Sequence, residues 1–74
     1  MTIHLDTQKL RQYRERKKLT QEQLAELAGI SDRYERDMEL GRCRNPSLAV
    51  LYPLSRALHI SMEELVYLEE DVKE

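Results

Sequence analysis

Residues 19–31 read LTQEQLAELAGIS. Thr20 and Gln23 stand three apart, the spacing of a capping box, in which a Thr oxygen accepts from the third helical amide and the Gln side chain reaches back to the cap. Leu24, Ala25, Leu27 and Ala28 then recur at i, i+3, i+4, the apolar stripe of a short helix. Gly29 follows, where a residue in the left-handed conformation ends a helix without the steric penalty of a Cβ. Ile30 offers an apolar side chain from the turn, and Ser31 is placed to cap a following helix. Helix, glycine turn, helix is a helix-turn-helix outline.

Toward the N-terminus, Asp6 is positioned as the N-cap of a first helix, with Leu5 and Leu10 as a hydrophobic staple. This helix is expected to run to about Lys18. Its apolar stripe is thin, Leu10 and Tyr13 with the stems of Arg14 and Lys17, and Lys9, Arg11, Arg16 and Lys18 form a solvated basic face. Residues 2–5 read as an extended arm. Toward the C-terminus, GISDRYERDMELG (residues 29–41) predicts a third helix from Asp32 to about Leu40, stopped by Gly41. The segment GRCRNPS is a loop by composition, since the residue before Pro46 avoids helical geometry. SLAVLYPLSRALHI carries helical periodicity interrupted by Pro53, which predicts either a kink or a helix that begins near Pro53. Ser61 and Glu64 form another capping-box pattern, and MEELVYL is expected to be a fifth helix. The final EEDVKE is an acidic tail expected to fray.

The expectation is therefore an all-α protein, a compact five-helix bundle forming one domain over residues 1–74 with its core between about 7 and 68. A chain of 74 residues, 41% hydrophobic with two Gly and two Pro, has enough apolar side chains for a small core and none to spare. No apolar run approaches the ~20 residues of a membrane span. MTIHLD lacks the basic-then-apolar pattern of a signal peptide, so a cytoplasmic protein with no membrane partner is expected. Cys43 has no cysteine partner and no nearby His, and His4 and His59 fall in no ligand or triad spacing. No metal, no cofactor and no catalytic residue is expected, because nucleophile–base pairs, carboxylate dyads and phosphate-cradling Gly loops are lacking. The net charge of −2 is unevenly placed: residues 1–60 hold 11 Lys/Arg and 8 Asp/Glu, net +3, and residues 61–74 hold 1 and 6, net −5.

LRQYRERKKLTQEQLAELAGIS, the Glu39-x-Gly41 pair, the loop NPSL and the ending ALHISMEEL together resemble the Cro and phage-repressor (Xre-like) helix-turn-helix family, over about residues 7–68. The resemblance implies a five-helix bundle that binds a double-stranded DNA operator, commonly as a homodimer, with the third helix in the major groove. Gln21 matches a position that grips phosphate, as a helix N-terminus favours an anion. Asp32, Arg33 and Asp37 match positions that reach base edges, with Arg36 on the neighbouring solvent face. Arg42, Arg44 and Asn45 lie in a loop that makes further phosphate contacts. Arg14 and Glu39 match a structural ion pair, buried in some members, between the first and third helices. This chain departs from the pattern in three places: Glu35 stands where a buried aliphatic residue is usual, GRCRNP is one residue longer than GRRNP, and Pro53 lies deep in the fourth helix.

The third helix carries four acids, Asp32, Glu35, Asp37 and Glu39, against Arg33 and Arg36. With Glu39 engaged by Arg14 and Glu35 turned toward the core or its rim, Asp32, Arg33, Arg36 and Asp37 remain on the reading side. There an Asp can accept from a cytosine amino group and an Arg can pair with guanine. A rotated register, with Tyr34 and Met38 as the buried face, is the alternative. The resemblance implies a sequence-specific DNA-binding transcriptional regulator, a repressor. The competing reading is a protein-interaction module, such as an antitoxin or anti-repressor, with a protein partner and weak DNA binding. One small module reads few bases, so a homodimer is expected, with Val66, Tyr67 and Leu68 as its candidate interface.

Overall fold

The computed structural model describes residues 2–69; the expected acidic tail from residue 70 onward lies outside them. The elements in order are β1 (Thr2–Leu5), α1 (Thr7–Arg16), α2 (Gln21–Ala28), α3 (Asp32–Glu39), α4 (Leu48–Leu58), a 3-10 turn (Met62–Leu65) and β2 (Val66–Glu69). Local chemistry sets the starts of the first three helices. Asp6 accepts from the Lys9 amide at 3.2 Å, Thr20 and Gln23 form the reciprocal capping box, and Ser31 accepts from the Tyr34 amide at 3.0 Å. These bonds satisfy amides that a helix start leaves without partners. Gly29 takes the left-handed conformation at φ 72° and ends α2.

Leu5, Leu10, Leu24, Ala28, Met38, Leu54, Leu58 and Leu65 form the buried core. Helix α2 packs on both α3 and α4, and α1 crosses α3 and the 3-10 turn. The staple residues Leu5 and Leu10 both belong to this core, so the N-terminal arm is anchored by burial as well as by pairing. Leu27, expected on the buried stripe of α2, is exposed instead, because helical geometry carries it roughly 100° from the centre of the face set by Leu24, Ala25 and Ala28.

Three further sequence expectations are corrected. The bundle has four α-helices rather than five: MEELVYL divides into a single 3-10 turn and the strand β2, which pairs antiparallel with β1. Ser61 makes no side-chain cap bond, and the Glu64 carboxylate instead accepts from the Tyr13 hydroxyl at 2.7 Å. The acid of the capping-box pattern thus serves a tertiary contact, and Val66 and Tyr67, residue types that favour strands, become extended. Helix α1 ends at Arg16, two residues early, because Lys17 caps it and Lys18 turns left-handed at φ 58°. Helix α4 neither starts at Pro53 nor stops there; it begins at Leu48 and runs through it.

The two-stranded ribbon has unequal edges. Asp6 N donates to Leu65 O and Leu5 N to Arg44 O, both at 2.8 Å. With the register His4↔Tyr67 and Thr2↔Glu69, the alternation of an antiparallel ladder turns the amides of Ile3 and Leu5 outward, toward the loop after α3. On β2 it turns those of Val66 and Leu68 to the open side. The Val66 N–H is used by Glu63 O; among the described residues the N–H and C=O of Leu68 and the C=O of Val66 have no partner along this edge. Ile3 and Leu68, cross-strand partners, are both more than half exposed.

Candidate nucleic-acid interface

Helix α3 shows its two faces clearly. Glu35, Met38 and Glu39 are buried and Tyr34 is half-buried, while Arg33 and Arg36 are exposed. Glu35 therefore occupies the core position despite its carboxyl group, and α3 keeps the register in which Asp32, Arg33, Arg36 and Asp37 face outward.

The inward carboxylates build a polar corner where α1, α2 and α3 meet. Arg14 holds Glu39 with two hydrogen bonds, Nε to Oε2 at 2.7 Å and Nη2 to Oε1 at 3.1 Å. Its third nitrogen donates to the Leu19 carbonyl at 2.8 Å. The fork geometry of an arginine suits this bidentate pairing. Gln21 Nε2 donates to Glu39 Oε1 at 3.2 Å, and Arg11 Nε lies 3.5 Å from the same oxygen. Burial opposes ionisation of Glu39, but hydrogen bonds from the Glu35 carboxyl, Arg14 and Gln21 outweigh it and hold Glu39 below the usual carboxylate range. Glu35 goes the other way. Burial, then its hydrogen bond to Glu39 and the Glu39 charge, push it up to about 8 against the pull of Arg14 and Arg36. Neither Glu35 oxygen has a hydrogen-bond donor among the described residues, which penalises the ionised form further.

The outward residues are less uniform than their sequence positions suggest. Asp32 and Arg36 pair loosely at 3.9 Å across one helical turn. Asp37 lies 3.6 Å from Arg42, whose amide also donates to the Asp37 carbonyl at 2.8 Å. Arg33 has no acidic partner among the described residues and is exposed. The loop residues Arg44 and Asn45 turn to the ribbon. Arg44 Nη2 donates to the Tyr67 hydroxyl at 2.8 Å, and the Asn45 amide, nitrogen inward, donates to Ile3 O at 2.6 Å and Arg44 O at 3.2 Å. The Gln21 amide is tied to Glu39, yet Gln21 is also the first residue of α2, where early backbone N–H groups and the helix dipole favour an anion.

Sequence reasoning passed over three participants. Arg11 joins the Glu39 cluster, and its spacing of three from Arg14 was the available signal. Tyr67 holds Arg44 from 23 residues away, and Cys43 Sγ lies 3.7 Å from the Tyr34 hydroxyl; neither pairing leaves a mark in the sequence. No cluster of three or more potential metal ligands occurs among the described residues. None of the described helices is long and apolar enough to cross a membrane.

A capped helix with one buried and one charged face, set by a glycine turn against a second helix whose N-terminus faces outward, defines a helix-turn-helix nucleic-acid-binding module. The family model described as Helix-turn-helix matches residues 10–65. The chain belongs to that family, of the Cro and phage-repressor kind, whose members are DNA-binding transcription regulators and not enzymes. It is 45% identical over 53 residues to an uncharacterized HTH-type transcriptional regulator, y4dJ, of Sinorhizobium fredii, covering 72% of this chain and 68% of that protein. It is 42% identical over 67 residues to the immunity repressor protein of Bacillus phage phi105, covering 90% of this chain but 46% of the repressor, so it spans under half of that relative's length. The biofilm regulator SinR of Bacillus subtilis, solved in complex with DNA, superposes with a TM-score of 0.77 at 32% identity, covering 80% of this chain and 97% of that one. SinR has also been solved in complex with the protein SinI. The family match ends at Leu65, so both strands of the ribbon lie outside it.

Proposed function

We propose that this protein is a sequence-specific DNA-binding transcriptional repressor that lays α3 in the major groove and binds its operator as a homodimer in the cytoplasm. The observation that carries the reading is Arg33, an exposed cation with no acidic partner among the described residues, on the outer face of a helix whose other face is locked into the core. Asp32, Arg36 and Asp37 lie on the same face. Acids there repel phosphate, lower nonspecific affinity and thereby favour discrimination. The start of α2 at Gln21, together with Arg42, supplies phosphate contacts. Arg44 and Asn45, held against the ribbon by Tyr67 and Ile3 O, are further phosphate contacts in this reading.

Pairing of two copies along the open edge of β2, with Val66, Tyr67 and Leu68 at the contact, gives the two half-site readers a fixed separation. A complex with a protein is known for SinR. The two loose pairs Asp32–Arg36 and Asp37–Arg42, which engage two arginines internally, favour a protein partner as the second reading.

Arg33→Ala is expected to lose ~1 to 3 kcal/mol on the preferred operator and to relax preference at one base pair, a guanine. Arg42→Ala should weaken preferred and random duplexes alike and lower the slope of log affinity against log salt by ~1 for each phosphate that is no longer neutralised. Equal effects of both substitutions on both duplexes would mean that α3 reads no bases. Failure of the unmodified protein to bind either duplex at low salt would hand the site to a protein partner.

A further inference from the structure

A carboxyl group in the core of a DNA-reading helix has no role in packing that an aliphatic side chain would not fill better. Glu35 is nevertheless fully buried, 4.0 Å from the Nε of the same Arg14 that holds Glu39 at 2.7 Å, and neither of its oxygens has a hydrogen-bond donor among the described residues. We propose that Glu35 works as an uncharged carboxylic acid that positions Glu39, and through Glu39 the side chains of Arg14 and Gln21, for a DNA phosphate at the start of α2. The inference rests on the DNA-binding reading above.

The geometry requires Glu39 to be held in one orientation. Its Oε2 receives Arg14 Nε, and its Oε1 receives Arg14 Nη2 and Gln21 Nε2 and faces Arg11. A neutral Glu35 can donate to this carboxylate and add no charge. An ionised Glu35 cannot donate, repels Glu39 at close range and competes for the single guanidinium between them. The charged groups around it are few: Glu39 and Arg36 from its own helix, Arg14 from α1 with Arg11 reaching Glu39, and from α2 only the uncharged Gln21. Glu22 and Glu26 of α2 are exposed. Arg14 and Arg11 are thus already engaged with Glu39, and an ionised Glu35 would have only its 4.0 Å contact with Arg14 and the charge of Arg36 to offset it.

A phosphate arriving at the start of α2 adds a further negative charge to the corner and favours the protonated form of Glu35. Bound protein therefore holds this proton more tightly than free protein, and operator binding takes up a proton once the free Glu35 has begun to ionise. Affinity falls as pH rises through about 8. Each unit by which phosphate raises the Glu35 pKa corresponds to about a tenfold change in affinity across that range.

The test uses the duplex that the unmodified protein selects from a random pool at pH 6.5. Fluorescence anisotropy at constant ionic strength follows its affinity from pH 6.5 to 9.5, in a Cys43→Ser background that removes the free thiol. The protein is expected to lose about tenfold in affinity across this interval. Glu35→Gln, which keeps a neutral donor and cannot ionise, is expected to give a flat profile and to bind about tenfold more tightly than its parent at pH 9.5. Carbon-13 titration of side-chain carboxyls in the unmutated chain should place the Glu35 midpoint near 8 and move it upward when duplex is added. Parallel profiles for the two proteins, or a Glu35 midpoint among ordinary glutamates, would overturn the inference and leave DNA binding standing. Absence of any selected duplex at pH 6.5 would overturn the DNA-binding reading, and this inference with it.

Discussion

Burying Glu35 has a stability consequence whose sign depends on pH. Below about 4.5, the ordinary value for this carboxyl, folded and unfolded chains both carry its proton and no charge is buried. As pH rises toward about 8 the unfolded chain releases the proton while the folded chain retains it, so stability falls throughout this window and levels off above it. Glu35→Ile removes the linkage and adds apolar burial. Its melting temperature should therefore exceed that of the parent at pH 4.5 and by a clearly larger margin at pH 8. The same variant lacks the group that orients Glu39, so a more stable protein that binds its operator less well is expected. A gain independent of pH would show that Glu35 is charged in the folded chain. This residue was conspicuous in the sequence, because a charge at an aliphatic position stands out in a pattern; which way its carboxyl pointed depended on tertiary packing.

Among the helices and strands, the starts of the first three helices were legible and the end of the chain was not. Asp6, Thr20 and Ser31 make local bonds to amides three residues on, and an interaction confined to four residues can be read from those residues. The strand β2 depends on β1, more than 60 positions away in sequence, and its four residues carry no strand signal strong enough to compete with the Ser61–Glu64 pattern. In the interface, the outward set on α3 was implied by the family resemblance, while the residues alone left a rotated register open; the turning of Arg44 and Asn45 to the ribbon was not legible, because the ribbon itself was not foreseen. Pro53 is a related case. It lies in the interior of α4, where its ring removes the bond to the Ala49 carbonyl and crowds it. Burial of Leu54 and Leu58 just beyond it carries the helix through. Pro53→Ala should then recover part of the ~3 kcal/mol that an interior proline costs and raise the melting temperature by several degrees. An unchanged or lower value would mean that the proline ring itself packs productively against α2.

Across the protein, the ribbon joins the proposed DNA-contacting loop to the proposed dimer edge. On its β1 side it receives Arg44 and Asn45; on its β2 side the backbone groups of Leu68 and the carbonyl of Val66 have no partner among the described residues. An uncovered edge beside exposed apolar side chains is a template for another strand, and the adjacent Ile3 and Leu68 supply such a surface. Leu68→Pro separates this role from folding. The Leu68 N–H points away from β1, so proline there removes a donor from the open edge and none from the inner ladder, a position that edge strands tolerate. Helical circular dichroism should be retained while sedimentation shifts from dimer to monomer. Affinity for a two-half-site operator should fall about a hundredfold or more, as two linked binding events become separate, with a single half-site bound as before. Were the parent protein already a monomer at high micromolar concentration, with and without DNA, the pairing along β2 would be wrong. A retained dimer in the proline variant would move the interface to another surface.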